Sequence, residues 1–379
     1  MKKKTEPGKS GGKPADKAKK KPLVIARIDR NMGIPAVSTR GIEWHDPTQP
    51  PFRFSGLNWF RKNGLFRRLP VMDGIPEGVE TLSVCTTAVT AAFKTDAKRI
   101  ILKVRHSDPK AASWNLSWIG TSGFDLYTGG PGNWSTIGVS RIRDGKSELF
   151  QTEGERKMRE FLLNFPLYNG ITEIRIGVDR GAKILPPTPF ASDKRIVTYG
   201  GSVMQGASAS RPGRAFMNII GRHFNMEVIN LGFSGSSRLE PIMAKLTAEV
   251  DDPAVVIIEG DRNAGWERVR DLEPGFIRTI RKKHPGVPIV VMQGNPWWEP
   301  DPNRPKIMAE QQAFMKKMQP HDPDLYWWDC TGFIGPDHSE CLVDGRHPSD
   351  LGFQRMADRM IEKLSVLFRK YEVTGFKRR

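Results

Sequence analysis

The sequence predicts a two-domain α/β protein: a β-sandwich over residues 23–184, then a parallel-sheet α/β domain over residues 195–371. Three observations carry this. From Leu23 to Ile184, short apolar or alternating runs lie between Gly, Asp and Pro turns, with no helical stretch of useful length. Leu185-Pro-Pro-Thr-Pro-Phe190 then stiffens the chain and marks residues 185–194 as a linker. Beyond it, strand-length runs alternate with helical repeats, the rhythm of a parallel sheet covered on both faces. A chain of 379 residues can bury two cores of ordinary size without covalent staples.

Residues 1–22 hold nine lysines against Glu6 and Asp16, a net of +7 out of the chain's formal net charge of +17. With almost no apolar residues to bury, this segment reads as a disordered basic tail, and residues 372–379 as a second one. A basic balance invites a nucleic-acid partner. The visible cluster is in the tail, however, and not among stacking aromatics on a folded face, so no specific nucleic-acid binding is expected. No apolar run approaches the ~18 residues of a membrane span. Cys85, Cys330 and Cys341 are too few and scattered for a disulfide framework. Met1-Lys-Lys-Lys4 has the charge of a secretory leader but no apolar core behind it.

In the first domain, Thr81–Cys85, Arg99–Arg105 and Ile171–Ile176 read as strands. Trp44, Trp59, Trp114, Trp118 and Trp134 all fall here, as core packing or a sugar platform. In the second, the predicted strands are Arg195–Tyr199, Glu227–Leu231, Ala254–Glu259, Pro288–Met292 and Leu325–Asp329. The predicted helices are Ala215–Phe224, Leu239–Val250, Glu267–Lys283 and Arg304–Met318. Asp350–Tyr371 closes the chain as an amphipathic helix capped by Asp350, with Leu351, Met356, Met360, Leu364 and Leu367 toward the core.

Chemistry-bearing residues collect at strand ends, where parallel sheets bind ligands. Tyr199-Gly-Gly-Ser202 turns sharply from the first strand into a helix, where an attacking serine and a developing anion are well served. It is not Gly-x-Ser-x-Gly, since position 204 is Met204, nor a phosphate loop, since Ala207 stands where Lys is needed. Asn230-Leu-Gly-Phe-Ser-Gly235, Glu259-Gly-Asp-Arg-Asn263 and Asp344-Gly-Arg-His347 follow later elements. Together they supply a serine, a base, an acid to orient the base, and donors for an oxyanion.

In order and spacing these motifs resemble the four blocks of the SGNH (GDSL-type) hydrolases. Gly123-Phe-Asp-Leu-Tyr127 resembles the Gly-x-Asp-Leu-Tyr signature of the β-rich domain preceding one SGNH subgroup, which is also similar in Phe165-Pro-Leu-Tyr-Asn-Gly170 and Ala209-Ser-Arg-Pro-Gly213. The resemblance implies a flavodoxin-like, three-layer α/β/α hydrolase domain on a five-stranded parallel sheet. It implies Ser202 as nucleophile, His347 as base and Asp344 orienting it. The Ser202 and Gly235 amides with the Asn263 side chain would form the oxyanion hole, with no metal or other cofactor. The implied substrate is an acetylated glycan, and the implied location secreted or periplasmic, with a cytoplasmic one open. Gly201 replaces the family's usual Asp, and the third block is unusually charged.

Alternatives stand beside this reading. His338, Cys341, Asp344 and His347 recur at intervals of three, a possible zinc set, although tetrahedral sites usually separate their ligand pairs. A lipid or thioester hydrolase would need a greasy cleft rim. Gln205, Arg211, Arg238 and Arg262 instead suggest a polar, substrate-binding rim that favours acidic glycans. A non-catalytic glycan-binding protein with a degenerate hydrolase domain would not need the full Ser202, Asp344, His347 set. On the scaffold reading, Arg211 and Arg238 pair with Asp261 and Glu240.

Overall fold

The computed structural model describes residues 28–29, 38–140, 148–151, 156–293 and 302–373. The basic tail at residues 1–22 and all of the C-terminal tail beyond Val373 lie outside them. Met1–Ala36 and Val37–Arg379 are separate compact units, and only Ile28 and Asp29 of the first are described.

The first half of the larger unit is two antiparallel sheets. One runs in the order Ile42–His45, Ile171–Asp179, Arg99–His106, Glu148–Gln151. The other runs Ile184–Leu185, Thr90–Thr95, Arg159–Asn164, Asp125–Gly129, Ser135–Val139, with Arg53–Ser55 also on Thr90–Thr95. Alternate side chains point inward from each, so Ile100, Leu102 and Ile176 meet Phe93, Phe161 and Leu163 in one buried cluster. The expected absence of helices is corrected by three short ones: Phe60–Asn63, Glu77–Ser83 and Trp118–Ser122. The last spans five residues, too few for a repeat, but Ser117 caps it by accepting from the Gly120 amide.

The Pro-rich segment is fastened to the sandwich. Glu160 accepts from the Thr188 amide and hydroxyl at 2.8 and 2.6 Å, and Arg53 stacks on Phe190 at 3.8 Å.

The second half is the predicted parallel sheet, in the order Val228–Gly232, Arg195–Gly200, Pro253–Ile258, Ile289–Gln293, Leu325–Asp329. The first four strands of that order are buried on both faces, hence their apolar runs, while the edge strand Leu325–Asp329 is only partly buried. Ile196, Val255 and Ile257 pack toward helices Phe216–Phe224 and Asp350–Lys370. Val197, Val256 and Ile258 pack toward Pro241–Ala248, Asp261–Lys283 and Arg304–Met318. Each such buried side chain contributes about 1.5–3 kcal/mol against exposure. The order reverses between the first and third strands in sequence, which opens a crevice at their carboxyl ends.

Local expectations change at two helix starts. Ser349, not Asp350, caps the last helix, leaving Asp350 to accept from the Ser210 amide and hydroxyl at 2.9 and 2.5 Å. Leu351 is 45% exposed, and Phe353 takes the core place assigned to it. The helix expected from Glu267 begins at Asp261 and breaks at Gly265, whose φ of 77° suits glycine. No helix among the described residues is long and apolar enough to cross a membrane.

Candidate active site

Strand Arg195–Gly200 ends where space is scarce. A Cβ on Gly200 would lie 2.8 Å from Glu259 Oε2, and one on Gly201 2.4 Å from Asn263 Oδ1. The two glycines therefore let the turn close against the third block, and no Asp could stand at position 201 without moving Asn263. Ser202 opens a four-residue helix that ends at Gly206. The first amides of such a helix have no intrahelical acceptors.

His347 closes on this serine from the far end of the chain. Its Nε2 lies 2.9 Å from Ser202 Oγ and its Nδ1 2.7 Å from Asp344 Oδ2. Three residues suffice for acid and base because the loop folds back on itself. Val343 donates its amide to the His347 carbonyl at 2.9 Å, and Gly345 takes a φ of 78°. Asp344 Oδ1 accepts from the His347 and Arg346 amides at 2.8 and 3.0 Å. Burial alone would raise the Asp344 carboxyl, but the Asn115 amide and the His347 ring and backbone hold it at about 2. It is ionised wherever the imidazole needs a partner.

Two of the expected oxyanion blocks flank the serine turn, since a Cβ on Gly201 would lie 2.4 Å from Asn263 Oδ1 and 3.4 Å from Ser237 Oγ. Gly235 sits at a φ of 67° in the turn closed by the Ser236 amide on the Phe233 carbonyl. Asn263 Oδ1 accepts from Ser237 Oγ at 3.1 Å, which makes Nδ2 the end offered to a ligand. Behind the turn, Glu259 Oε2 accepts from the Gly201 amide at 2.9 Å. Burial foremost, then Asp261, pushes the Glu259 carboxyl up, against the Gly201 amide and Arg262.

The four residues expected to rim the cleft separate. Gln205 is wholly buried, donating to the Leu167 carbonyl at 3.2 Å and accepting from the Ser234 amide at 2.9 Å, so it braces the second block and lines no cleft. Arg211 is held by Asp125 Oδ2 at 2.5 Å and the Tyr127 hydroxyl at 2.6 Å, not by Asp261. Arg262 is half-buried beside the Glu259 carboxyl. Arg238 is exposed, and only its backbone amide reaches Glu240, at 3.2 Å. Two of the four residues of the zinc alternative are engaged elsewhere. Both His347 ring nitrogens are engaged as above, and Cys341 Sγ lies buried against the Ile334 carbonyl at 3.5 Å. The His338 side chain lies outside the described residues.

Sequence reasoning missed the residues that the β-domain sends into the site. Asn115 Nδ2 donates to Asp344 Oδ2 at 2.8 Å. Tyr168 donates to the Ser202 carbonyl at 3.4 Å. Arg68, fully buried, donates to the Asn230, Gly232 and Leu82 carbonyls and lies 4.4 Å over the Phe233 ring. Burial lowers its guanidinium to about 10, still cationic at neutral pH. Tyr168 lies inside the Phe165–Gly170 motif, but nothing local marks Asn115 or Arg68, whose partners Asp344 and Asn230 are 229 and 162 residues away.

With this geometry in hand, two family models match. Residues 193–365 match the GDSL-like lipase/acylhydrolase family, and residues 42–184 match the N-terminus of SGNH-hydrolase-type esterases. Among solved structures, a GDSL-like lipase from Bacteroides ovatus is similar at 28% identity and a TM-score of 0.78, over 89% of this chain and 100% of its own. The salicylyl-acyltransferase SsfX3 of a tetracycline biosynthetic pathway is similar at 18% identity and 0.71, over 86% and 98%. A family two carbohydrate esterase from Cellvibrio japonicus is similar at 11% and 0.59, over 86% and 98%. The last two likenesses are of fold. None of the curated proteins matches. Glycine turn, strand-end blocks and Asp-x-x-His loop mark residues 193–365 as a domain of the GDSL-like lipase/acylhydrolase family, and residues 42–184 match the N-terminal domain that precedes it in SGNH-hydrolase-type esterases.

Proposed function

We propose that this protein is a serine esterase that removes O-acetyl groups from carbohydrate through an acyl-enzyme. The observation that carries the reaction is the unbroken line Ser202 Oγ, His347 Nε2, His347 Nδ1, Asp344 Oδ2, at 2.9 and 2.7 Å. In the neutral tautomer, His347 carries its proton on Nδ1 toward Asp344 and accepts the Ser202 proton on Nε2 as Oγ attacks the ester carbon. The tetrahedral oxyanion is met by the Ser202 and Gly235 amides and Asn263 Nδ2. When it collapses, the imidazolium returns the proton to the leaving sugar oxygen. Water, deprotonated by the same Nε2, then releases acetate and restores Ser202.

The sugar half of the reading rests on the rim and on fold-level neighbours. Trp114 is 86% exposed and directly precedes Asn115, which touches the acid of the triad. An exposed indole beside the site suits the apolar face of a pyranose, while the exposed Arg238 and Arg346 suit its hydroxyls or an acidic substituent. Similar folds include proteins described as family two carbohydrate esterases. The test is acetate release from acetylated xylan, mannan and pectin, with p-nitrophenyl acetate as reference. Trp114→Ala should raise KM for polymer several-fold and leave the small ester unchanged. Turnover of long-chain p-nitrophenyl esters above acetate, with no release from any polymer, would replace this substrate class with a lipid one.

A further inference from the structure

We propose that Asn115 is a positioning residue for the catalytic acid, so that the β-domain completes the hydrolytic machinery of the α/β domain. This rests on the serine-esterase reading above. Asp344 Oδ2 receives two donors, His347 Nδ1 at 2.7 Å and Asn115 Nδ2 at 2.8 Å, while Oδ1 receives the His347 and Arg346 amides. A carboxylate accepts about four hydrogen bonds, so this one is full and cannot rotate away from the imidazole. Asn115 Nδ2 also stands 3.4 Å from His347 Nδ1. With Asp344 fixed as an ionised acceptor, the ring keeps its proton on Nδ1, pointed at Oδ2, which leaves Nε2 free to accept from Ser202.

Asn115 is itself built into place. Ser113 Oγ donates to Asn115 Oδ1 at 2.7 Å, which turns the amide nitrogen to Asp344. The Asn115 carbonyl accepts from Ser208 Oγ at 2.9 Å, six residues after the nucleophile. Ser117 Oγ donates to the Ser210 carbonyl at 2.5 Å, and Gly120 is pressed so close to Ala209 that a Cβ there would lie 2.3 Å from its carbonyl oxygen. The loop carrying Asn115 is thus tied at three points to the segment leaving Ser202. Among the described residues, charged groups near the triad include Asp344 itself, Arg346 next to His347 in sequence, and Glu259 with Arg262 behind the Gly201 amide. Asn115 adds a donor to Asp344 without adding a charge.

Asn115→Ala, Asn115→Asp and Ser113→Ala in the full chain test this, with p-nitrophenyl acetate kinetics across pH. Losing a hydrogen bond to a charged group should cut kcat about 10-fold or more in Asn115→Ala, with KM little changed. Asn115→Asp adds a negative charge beside the acid and should move the acid limb of kcat/KM up by about one pH unit. Ser113→Ala frees the amide to turn and should give a smaller loss of the same kind. A merely structural contact would lower the melting temperature and leave the limb in place. Wild-type kcat and an unmoved limb in both Asn115 variants overturn the proposal. Should the wild type hydrolyse no ester, the esterase reading fails. The His347 ring resonances, followed by NMR against pH in Ser202→Ala with and without Asn115→Asp, then decide the positioning claim without turnover. A higher midpoint supports it, and an unchanged one ends it.

Discussion

Two regions meet at Ser202, and they are built on different terms. The α/β domain brings its first three blocks to the carboxyl ends of adjacent strands, so the sheet register sets Gly200, Gly232 and Glu259 side by side, and the loop before the last helix adds Asp344 and His347. The β-domain supplies Asn115, Tyr168 and Arg68 from loops and turns, positioned by the contact between the domains. Asp125 of the Gly-x-Asp-Leu-Tyr motif shows what that contact needs. It is fully buried and accepts from Arg211, the Gly213 amide at 2.8 Å and Asn164 at 2.8 Å. A Cβ on Gly213 would lie 2.5 Å from the Tyr127 ring. The motifs Gly-x-Asp-Leu-Tyr and Ala-Ser-Arg-Pro-Gly are the two halves of one joint. On the proposed function, the sheet carries the reacting groups and the joint positions them.

The comparison can be broken at several strengths. Ser202→Ala and His347→Ala remove chemistry and should each cost ~10⁴-fold or more in kcat, with the melting temperature little changed, because neither side chain is in the core. Asp344→Asn should cost less than His347→Ala. Full turnover in Ser202→Ala would remove the serine mechanism. Next, Asn263→Ala takes away the side-chain donor proposed for the oxyanion and should lower kcat ~10²–10³-fold at similar KM. A loss confined to KM would move Asn263 out of the oxyanion hole.

Asp125→Ala strikes the joint, leaving Arg211 and two buried amides without their acceptor. It should lower the unfolding free energy in urea by about 3–5 kcal/mol, while kcat per folded molecule falls less than in Asn263→Ala. The reverse pattern would assign Asp125 to catalysis. A smaller effect is expected from Glu259→Gln, which keeps the acceptor for Gly201. The Glu259 carboxyl is raised in the folded protein by burial and Asp261. Its contribution is therefore fully present below the ordinary 4.5 and is lost as pH rises through the folded value. Glu259→Gln should flatten the decline of melting temperature toward pH 9, and an unaltered decline would show that Glu259 is ionised when folded. Least of all, deleting residues 1–22 should leave melting temperature and small-ester kinetics nearly unchanged. A fall of ~5 °C or more would show that the tail packs.

The sequence by itself determined the parallel sheet and the four blocks along it. Buried strands must read as continuous apolar runs, and each block follows its strand or precedes its helix by only a few residues, so local periodicity places both. It also contained Gly-x-Asp-Leu-Tyr, legible as a signature but not as a clamp. The tertiary structure decided whatever depended on a partner far along the chain. Gln205 and Arg211 look like cleft residues beside Ser202, yet one is buried against Leu167 and the other is taken by Asp125, 86 residues upstream. Asp350 looks like a cap, but Ser210 claims it, and Ser349 caps instead. Asn115 carries no local sign of its role. A polar side chain's partner is set by which surfaces meet when two domains bury their faces together, and no repeat of 2 or 3.6 residues encodes that meeting.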